Sequence, residues 1–178
     1  MARYAAFLRG MNLGGRRITN DDLCAAVEAV GFSEPQAFLA SGNLVFESRG
    51  KAKSIERKLA EGLEAELGYA VPCFVRSEAE LIALSELDPF AGRSPQGPRG
   101  KPQVVFLATP PDAKATRAAM KLDAPADWLA IVGSELHWWP SGGISTSELD
   151  LKALEKILGA PTIRTRNTID RMVGKFFR

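Results

Sequence analysis

Basic side chains and glycines gather where an apolar first segment gives way to a helical pattern. Ahead of Asp21 the only ionisable side chains are Arg3, Tyr4, Arg9, Arg16 and Arg17, and among them runs Asn12-Leu13-Gly14-Gly15. A glycine-rich turn at the start of a helix exposes backbone N–H groups and the positive end of the helix dipole. Flanking arginines complete the chemistry of an anion site. The spacing is neither that of a P-loop nor that of the dinucleotide fingerprint. A tight turn with solvated arginines accounts for it about equally well.

A second basic cluster lies near the C-terminus, in Thr162-Ile163-Arg164-Thr165-Arg166-Asn167-Thr168. If the segment is extended, alternation sets Arg164 and Arg166 on one face. Thr168 or Asn167 then caps the last helix. Capping alone needs no arginines, and two of them beside a helix N-terminus again favour an anion. Ser141 to Ser147 is a hydroxyl-rich connection that offers a phosphate contact, or simply places Ser147 as a helix cap. His137, the sole histidine, lies beside Trp138 and Trp139 with no carboxylate near it in sequence. A structural histidine is favoured there over a catalytic one, since a perturbed pKa needs partners. Cys24 and Cys73 have no metal-type spacing and read as small buried hydrophobes. No paired carboxylates or nucleophile elbow can be assigned, and no residue presents itself as a general acid or base.

The elements that carry these residues follow from periodicity. Arg3 to Met11 reads as a central strand, and Thr19 caps a helix whose Leu23, Val27 and Val30 share one face and which Gly31 ends. Gln36–Ala40 and Leu44–Glu47 flank Ser41-Gly42-Asn43 as a hairpin. Ser54–Leu67 is a second helix ended by Gly68, Ala70–Val75 a strand, and Ser77–Leu87 a third helix. A Gly/Pro stretch then runs from Asp88 to about Pro102. Its part from Ala91 to Lys101 holds Arg93, Arg99 and Lys101 but few apolar anchors, so it is expected to be mobile, as a linker or as a basic lid. Beyond it come strand Gln103–Ala108, helix Asp112–Leu122, a hairpin of Trp128–Val132 and Glu135–Trp139 across Gly133-Ser134, helix Glu148–Leu158, and a last helix from Thr168 to about Phe177. The expected fold is α+β: two consecutive ferredoxin-like β-α-β-β-α-β halves packed as one compact unit. The segments are 1–87, a connector 88–102, and 103–178 with an added terminal helix. Sequence identity between the halves is negligible, so the repeat is one of topology.

At 178 residues the chain buries enough surface to fold without disulfide or metal staples. Its 46% hydrophobic and 25% charged residues exclude a disordered or collagenous class. A net charge of +2 is modest for a nonspecific nucleic-acid binder. No apolar run reaches membrane-spanning length and no signal-peptide pattern opens the chain, so the expected place is a reducing cytoplasm.

Ala6-Phe7-Leu8-Arg9-Gly10-Met11-Asn12-Leu13-Gly14-Gly15 resembles the opening signature of the bacterial family called domain of unknown function 1697. Ser41-Gly42-Asn43-Leu44-Val45-Phe46 is similar to its hairpin signature, Asp88-Pro89-Phe90 to its middle motif, and Arg164 with Asn167-Thr168-Ile169 to its closing one. The departure is Gly142 to Leu149, where the family pattern has a basic residue beside the serine and this chain has none. The resemblance implies a cytoplasmic bacterial α+β protein and brings no activity, cofactor or catalytic residue.

The reading that unites these features is a small anionic or phosphorylated ligand held by the first β-α loop and the Arg164–Thr168 segment. Arg9, Arg16, Arg164 and Arg166 supply charge, and Gly14 and Gly15 admit backbone N–H groups. Asn12, Asn43 and Asn167 orient the ligand, with Ser41 and Thr168 as further polar contacts. No cofactor or metal is called for, no membrane is a partner, and the sequence leaves the oligomeric state and any enzymatic role open. The alternatives are a nucleic-acid-binding module, which ferredoxin-like sheets support in general but no aromatic strand pattern marks here, and a protein-interaction module with no small-molecule site.

Overall fold

The unbroken apolar run Tyr4–Leu8 makes β1 (Ala2–Leu8) an inner strand, and every residue of that run is buried. In the computed structural model, which describes residues 1–12, 14–39, 42–94, 96–122 and 126–178, β1 pairs antiparallel on both sides. One neighbour is β3 (Asn43–Ser48) and the other is β4 (Cys73–Ser77). β2 (Ser33–Ala37) adds to β3, giving the order β2-β3-β1-β4. Two helices cover one face, α1 (Asn20–Ala29) and α2 (Ala52–Leu67). Leu23 and Val27 of α1 and Ile55, Leu59 and Leu63 of α2 pack on Tyr4, Ala6, Leu8, Leu44 and Phe46. Glycine at position 62 permits this: a Cβ there would lie 2.4 Å from Cγ1 of Val30.

The first helices stop and start as local chemistry directs. Thr19 Oγ1 accepts from the Asp22 N–H at 3.1 Å and caps α1. Gly68 ends α2 in the left-handed region, at φ 76°. α3 (Glu78–Glu86) opens with a reciprocal box, in which Ser77 N–H donates to Glu80 Oε2 at 2.8 Å and Glu80 N–H to Ser77 Oγ at 3.4 Å.

The same plan recurs in β5 (Gln103–Phe106), α4 (Ala113–Met120), β6 (Trp128–Val132), β7 (Glu135–Trp139), α5 (Leu151–Leu158) and β8 (Thr162–Thr165). Their strand order, β6-β7-β5-β8, is the counterpart of the first. Val105, Leu129, Leu136 and Trp138 form its core with Ala119 of α4 and Leu154 of α5. α6 (Arg166–Phe176) ends the chain's regular structure. Two compact units result, Met1–Leu84 with Met172–Arg178, and Ser85–Arg171. Each has the ferredoxin-like β-α-β-β-α-β order.

Several boundaries differ from the sequence expectation. β1 ends at Leu8, where the Leu8 N–H turns to Gly42 O at 2.7 Å. α5 begins at Leu151, because Asp150 Oδ1 caps it by accepting from Ala153 N–H at 2.9 Å. Ser147 is not that cap: its hydroxyl donates to Asp127 and accepts from Leu149 N–H at 3.1 Å, ahead of the helix, and a single 3-10 turn, Ile144–Thr146, precedes it. α6 begins at Arg166, two residues early, and its cap is neither Asn167 nor Thr168. Thr165 Oγ1 accepts from Thr168 N–H at 3.2 Å.

Candidate ligand-binding cavity

In the first unit the expected site residues are held in different ways. The Arg9 N–H donates to Pro72 O at 2.9 Å. Asn12 is exposed and lines a cavity of about 250 Å³ with Thr19, Asn20 and Gly42 at the start of α1. Gly14 and Gly15 take φ of 66° and 81° with open space where a Cβ would stand. Glycine is required there by the turn, not by close approach of a neighbour. Arg16 lays its guanidinium 4.1 Å above the Tyr69 ring, a cation–π contact. Asn43 is fully buried and its Nδ2–H donates to Phe38 O at 2.9 Å, so this amide closes the hairpin. Ser41 lies outside the described residues.

In the second unit Arg164 and Arg166 do not share a strand face. Arg164 stands on β8, whereas Arg166 is already the first residue of α6. Nη1 of Arg164 donates to Thr162 Oγ1 at 2.7 Å and to Ile163 O at 2.8 Å. Burial lowers its pKa to about 10, which leaves it cationic at neutral pH. Arg166 donates from Nε to Asp170 Oδ1 at 2.8 Å, from Nη1 to Leu87 O at 2.9 Å, and from Nη2 to Ser85 O. A guanidinium carries five N–H donors, so two of them have no acceptor among the described residues. Asn167 is exposed, and the Thr168 hydroxyl lies 2.9 Å from that of Thr165.

Arg166 also lines a cavity of about 300 Å³ whose walls all belong to Ser85–Arg171. The floor is the sheet: Val104 of β5 and His137 of β7 are cross-strand partners, and Trp139 follows two residues on, on the same face. The segment Glu86–Phe90 forms the opposite wall. The Phe90 ring lies 6.0 Å from that of Trp139 and 5.7 Å from that of Trp128. Asp88 turns its carboxylate back on its own chain, accepting from Phe90 N–H at 3.0 Å. His137 is 2% exposed, and its Nε2 has no hydrogen-bond partner among the described residues. Burial, with the Arg166 charge adding to it, lowers the imidazole pKa to about 4, so the ring is neutral at pH 7. A buried polar atom left unpaired costs about 1–3 kcal/mol.

The sequence reading passed over Asp127 and the anchoring role of Trp139, and it named Phe90 only as part of a family motif. Asp127 is 2% exposed and accepts from Trp138 Nε1–H at 2.8 Å, Ser141 N–H at 2.7 Å and Ser147 Oγ at 2.5 Å. Burial raises its pKa, but those donors outweigh it and hold the carboxyl below its usual range. Nothing local to Asp127 announces this, since its partners lie 11 to 20 residues away. Within Ala91–Lys101, expected to hold few apolar anchors, Gly97 and Gly100 are held against Trp139 and Pro140. Trp139 Nε1–H donates to Gly100 O at 2.8 Å, Gly100 N–H donates to Pro140 O at 3.0 Å, and a Cβ on Gly97 would fall 2.6 Å from the Trp139 ring. Burial pushes the Cys73 thiol up to about 12 and raises that of half-buried Cys24. Among the described residues no cluster of His, Cys, Asp and Glu could hold a metal ion.

The family described as "Protein of unknown function (DUF1697)" matches residues 1–137, which include β1 through β6 and, of the cavity floor, Val104 and His137 but not Trp139. The chain belongs to this family. The opening, hairpin and middle motifs lie inside the match, and the closing one, at Arg164 and Asn167-Thr168-Ile169, lies beyond it. The solved structure of a conserved bacterial protein from Streptococcus pneumoniae is 19% identical, with a TM-score of 0.69 over 98% of this chain and 99% of that one. At that identity the likeness is one of fold. No curated protein sequence matches the chain. No helix among the described residues is long and apolar enough to cross a membrane.

Proposed function

We propose that this protein binds a small anionic ligand in the cavity of its second unit, with Arg166 as the charged contact. The observation that carries the reading is the Arg166 guanidinium on the wall of a largely apolar cavity, with two N–H groups that have no acceptor among the described residues. Its bonds to Ser85 O, Leu87 O and Asp170 fix its plane, so the remaining donors are preorganised. A concave site of this size with few polar groups is the ordinary form of a small-molecule site. The reading keeps Arg166 from the residues singled out in the sequence and gives it His137, Trp139 and Phe90 as companions. A bacterial cytoplasmic setting goes with it, supported by the family resemblance and the two free thiols.

The test is a titration with acetate, inorganic phosphate and benzoate, followed by backbone amide shifts and tryptophan fluorescence. At least one anion should give saturable shifts confined to 86–90, 102–104, 137–139 and 166. Arg166→Lys, which keeps the charge but loses the planar fork, should weaken that binding about tenfold. Absence of saturable shifts with every anion would sink the reading. So would tight, steeply salt-dependent binding of a single-stranded oligonucleotide at other residues, which would put a nucleic-acid role in its place.

A further inference from the structure

His137 is the one buried polar group on the cavity wall whose Nε2 is left without a partner among the described residues. Its imidazole is neutral at physiological pH, and Nε2 is closed to water as it stands, so a small turn of the ring lets it offer a guest a hydrogen bond rather than a second positive charge. Phe90, Trp139 and Val104 supply ring and hydrocarbon to the wall, while Asp88 and Gln103, which also line it, are bonded to their own segments, and Glu86 lines it beside Leu87. Phe90 and Trp139 lie 6.0 Å apart with planes inclined at 45°, an arrangement that presents ring surface to a flat guest. The volume of about 300 Å³ holds roughly ten groups the size of a water molecule, on the order of 30 Å³ each. An inorganic anion would leave most of it empty and the imidazole unpaired.

We infer that the ligand is a planar ring acid of about ten non-hydrogen atoms. Its acid group meets Arg166, its ring lies against Phe90 and Trp139, and a hydroxyl or ring heteroatom pairs with His137 Nε2. The inference rests on the anion reading above and adds the class of ligand to it. His137 is then the residue that sets specificity, because a guest lacking the polar group leaves Nε2 buried and unsatisfied.

The probes are 3- and 4-hydroxybenzoate, benzoate, benzylamine, acetate and inorganic phosphate. Since the chain has a single histidine, its imidazole nitrogens are read without ambiguity by ¹⁵N NMR of the unaltered protein. The better hydroxybenzoate should move the Nε2 resonance and bind about tenfold tighter than benzoate. In His137→Phe, which keeps a ring but no nitrogen, that margin should vanish. An Nε2 resonance unmoved at saturation overturns the inference even if the variant fails to fold. Preference for benzylamine overturns it as well, together with the anion reading. Phosphate or acetate binding as tightly as the ring acids defeats the ligand class and leaves the anion reading standing. No binding of any anion defeats both.

Discussion

His137 and Asp127 show two opposite ways of burying a polar side chain. Asp127 is fully partnered, and its charge is stabilised by the three donors around it. Replacing it with alanine strands the indole N–H of Trp138, the Ser141 N–H and the Ser147 hydroxyl. We expect a loss of about 3 kcal/mol in denaturant unfolding, with protease cleavage newly directed to residues 141–147. His137 is buried with no partner for Nε2 among the described residues and stays neutral until the pH approaches 4. In the unfolded chain it takes up a proton near pH 6.5. Between these values the unfolded state binds more protons, so the stabilisation is complete above pH 6.5 and falls away as pH drops toward 4. From pH 7 to pH 5 the protein should lose about 2 kcal/mol more than His137→Phe does. Equal losses in the two proteins would mean that the imidazole titrates normally.

At the scale of elements, the last turn of chain before α6 decides what the second basic cluster can do. By taking the cap, Thr165 draws Arg166 into the helix and sets its guanidinium toward Leu87 O and Ser85 O. Arg164 stays on the strand, bonded to the Ile163 carbonyl and the Thr162 hydroxyl. Thr165→Val should cost about 1 kcal/mol of stability, the usual effect of a lost cap. Thr168→Val should cost markedly less, because the Thr168 contribution to the cap is its backbone N–H. Chemical denaturation of the two variants side by side is the check. A larger loss in Thr168→Val would return the cap to Thr168, one of the two residues, with Asn167, that the sequence alone suggested.

At the scale of the whole molecule, each unit has its own sheet and its own buried cluster, to which α1 and α2 contribute in the first and α4 and α5 in the second. Leu59 lies at the centre of the first cluster and Leu136 of the second, both at 0% exposure. Truncating either to alanine should cost about 2–5 kcal/mol. The damage should be read locally by hydrogen exchange. Leu59→Ala should lose protection first in β1, β3 and β4, and Leu136→Ala first in β5, β6 and β7. Loss spread evenly over both sheets from either variant would show that the two clusters do not act as separate cores.

What the sequence determined by itself was local and periodic. The hairpin Trp128–Val132 with Glu135–Trp139 has the limits read from the sequence, because a two-residue turn at Gly133-Ser134 between two short runs rich in apolar residues is a nearest-neighbour signal. The Thr19 cap and the Gly68 stop were legible for the same reason. So was the repeated ferredoxin-like order, which needs only the succession of elements. The tertiary structure decided everything that depends on side chains distant in sequence. Ser147 was lost as a cap to Asp127, 20 residues away. The connector is anchored by Trp139, and Arg166 is aimed by carbonyls 79 and 81 residues earlier in the chain. The cavity draws its walls from Glu86 through Arg166, a span no periodicity records. Hydrogen-bond partners are chosen by proximity in space, and a sequence reports only proximity along the chain.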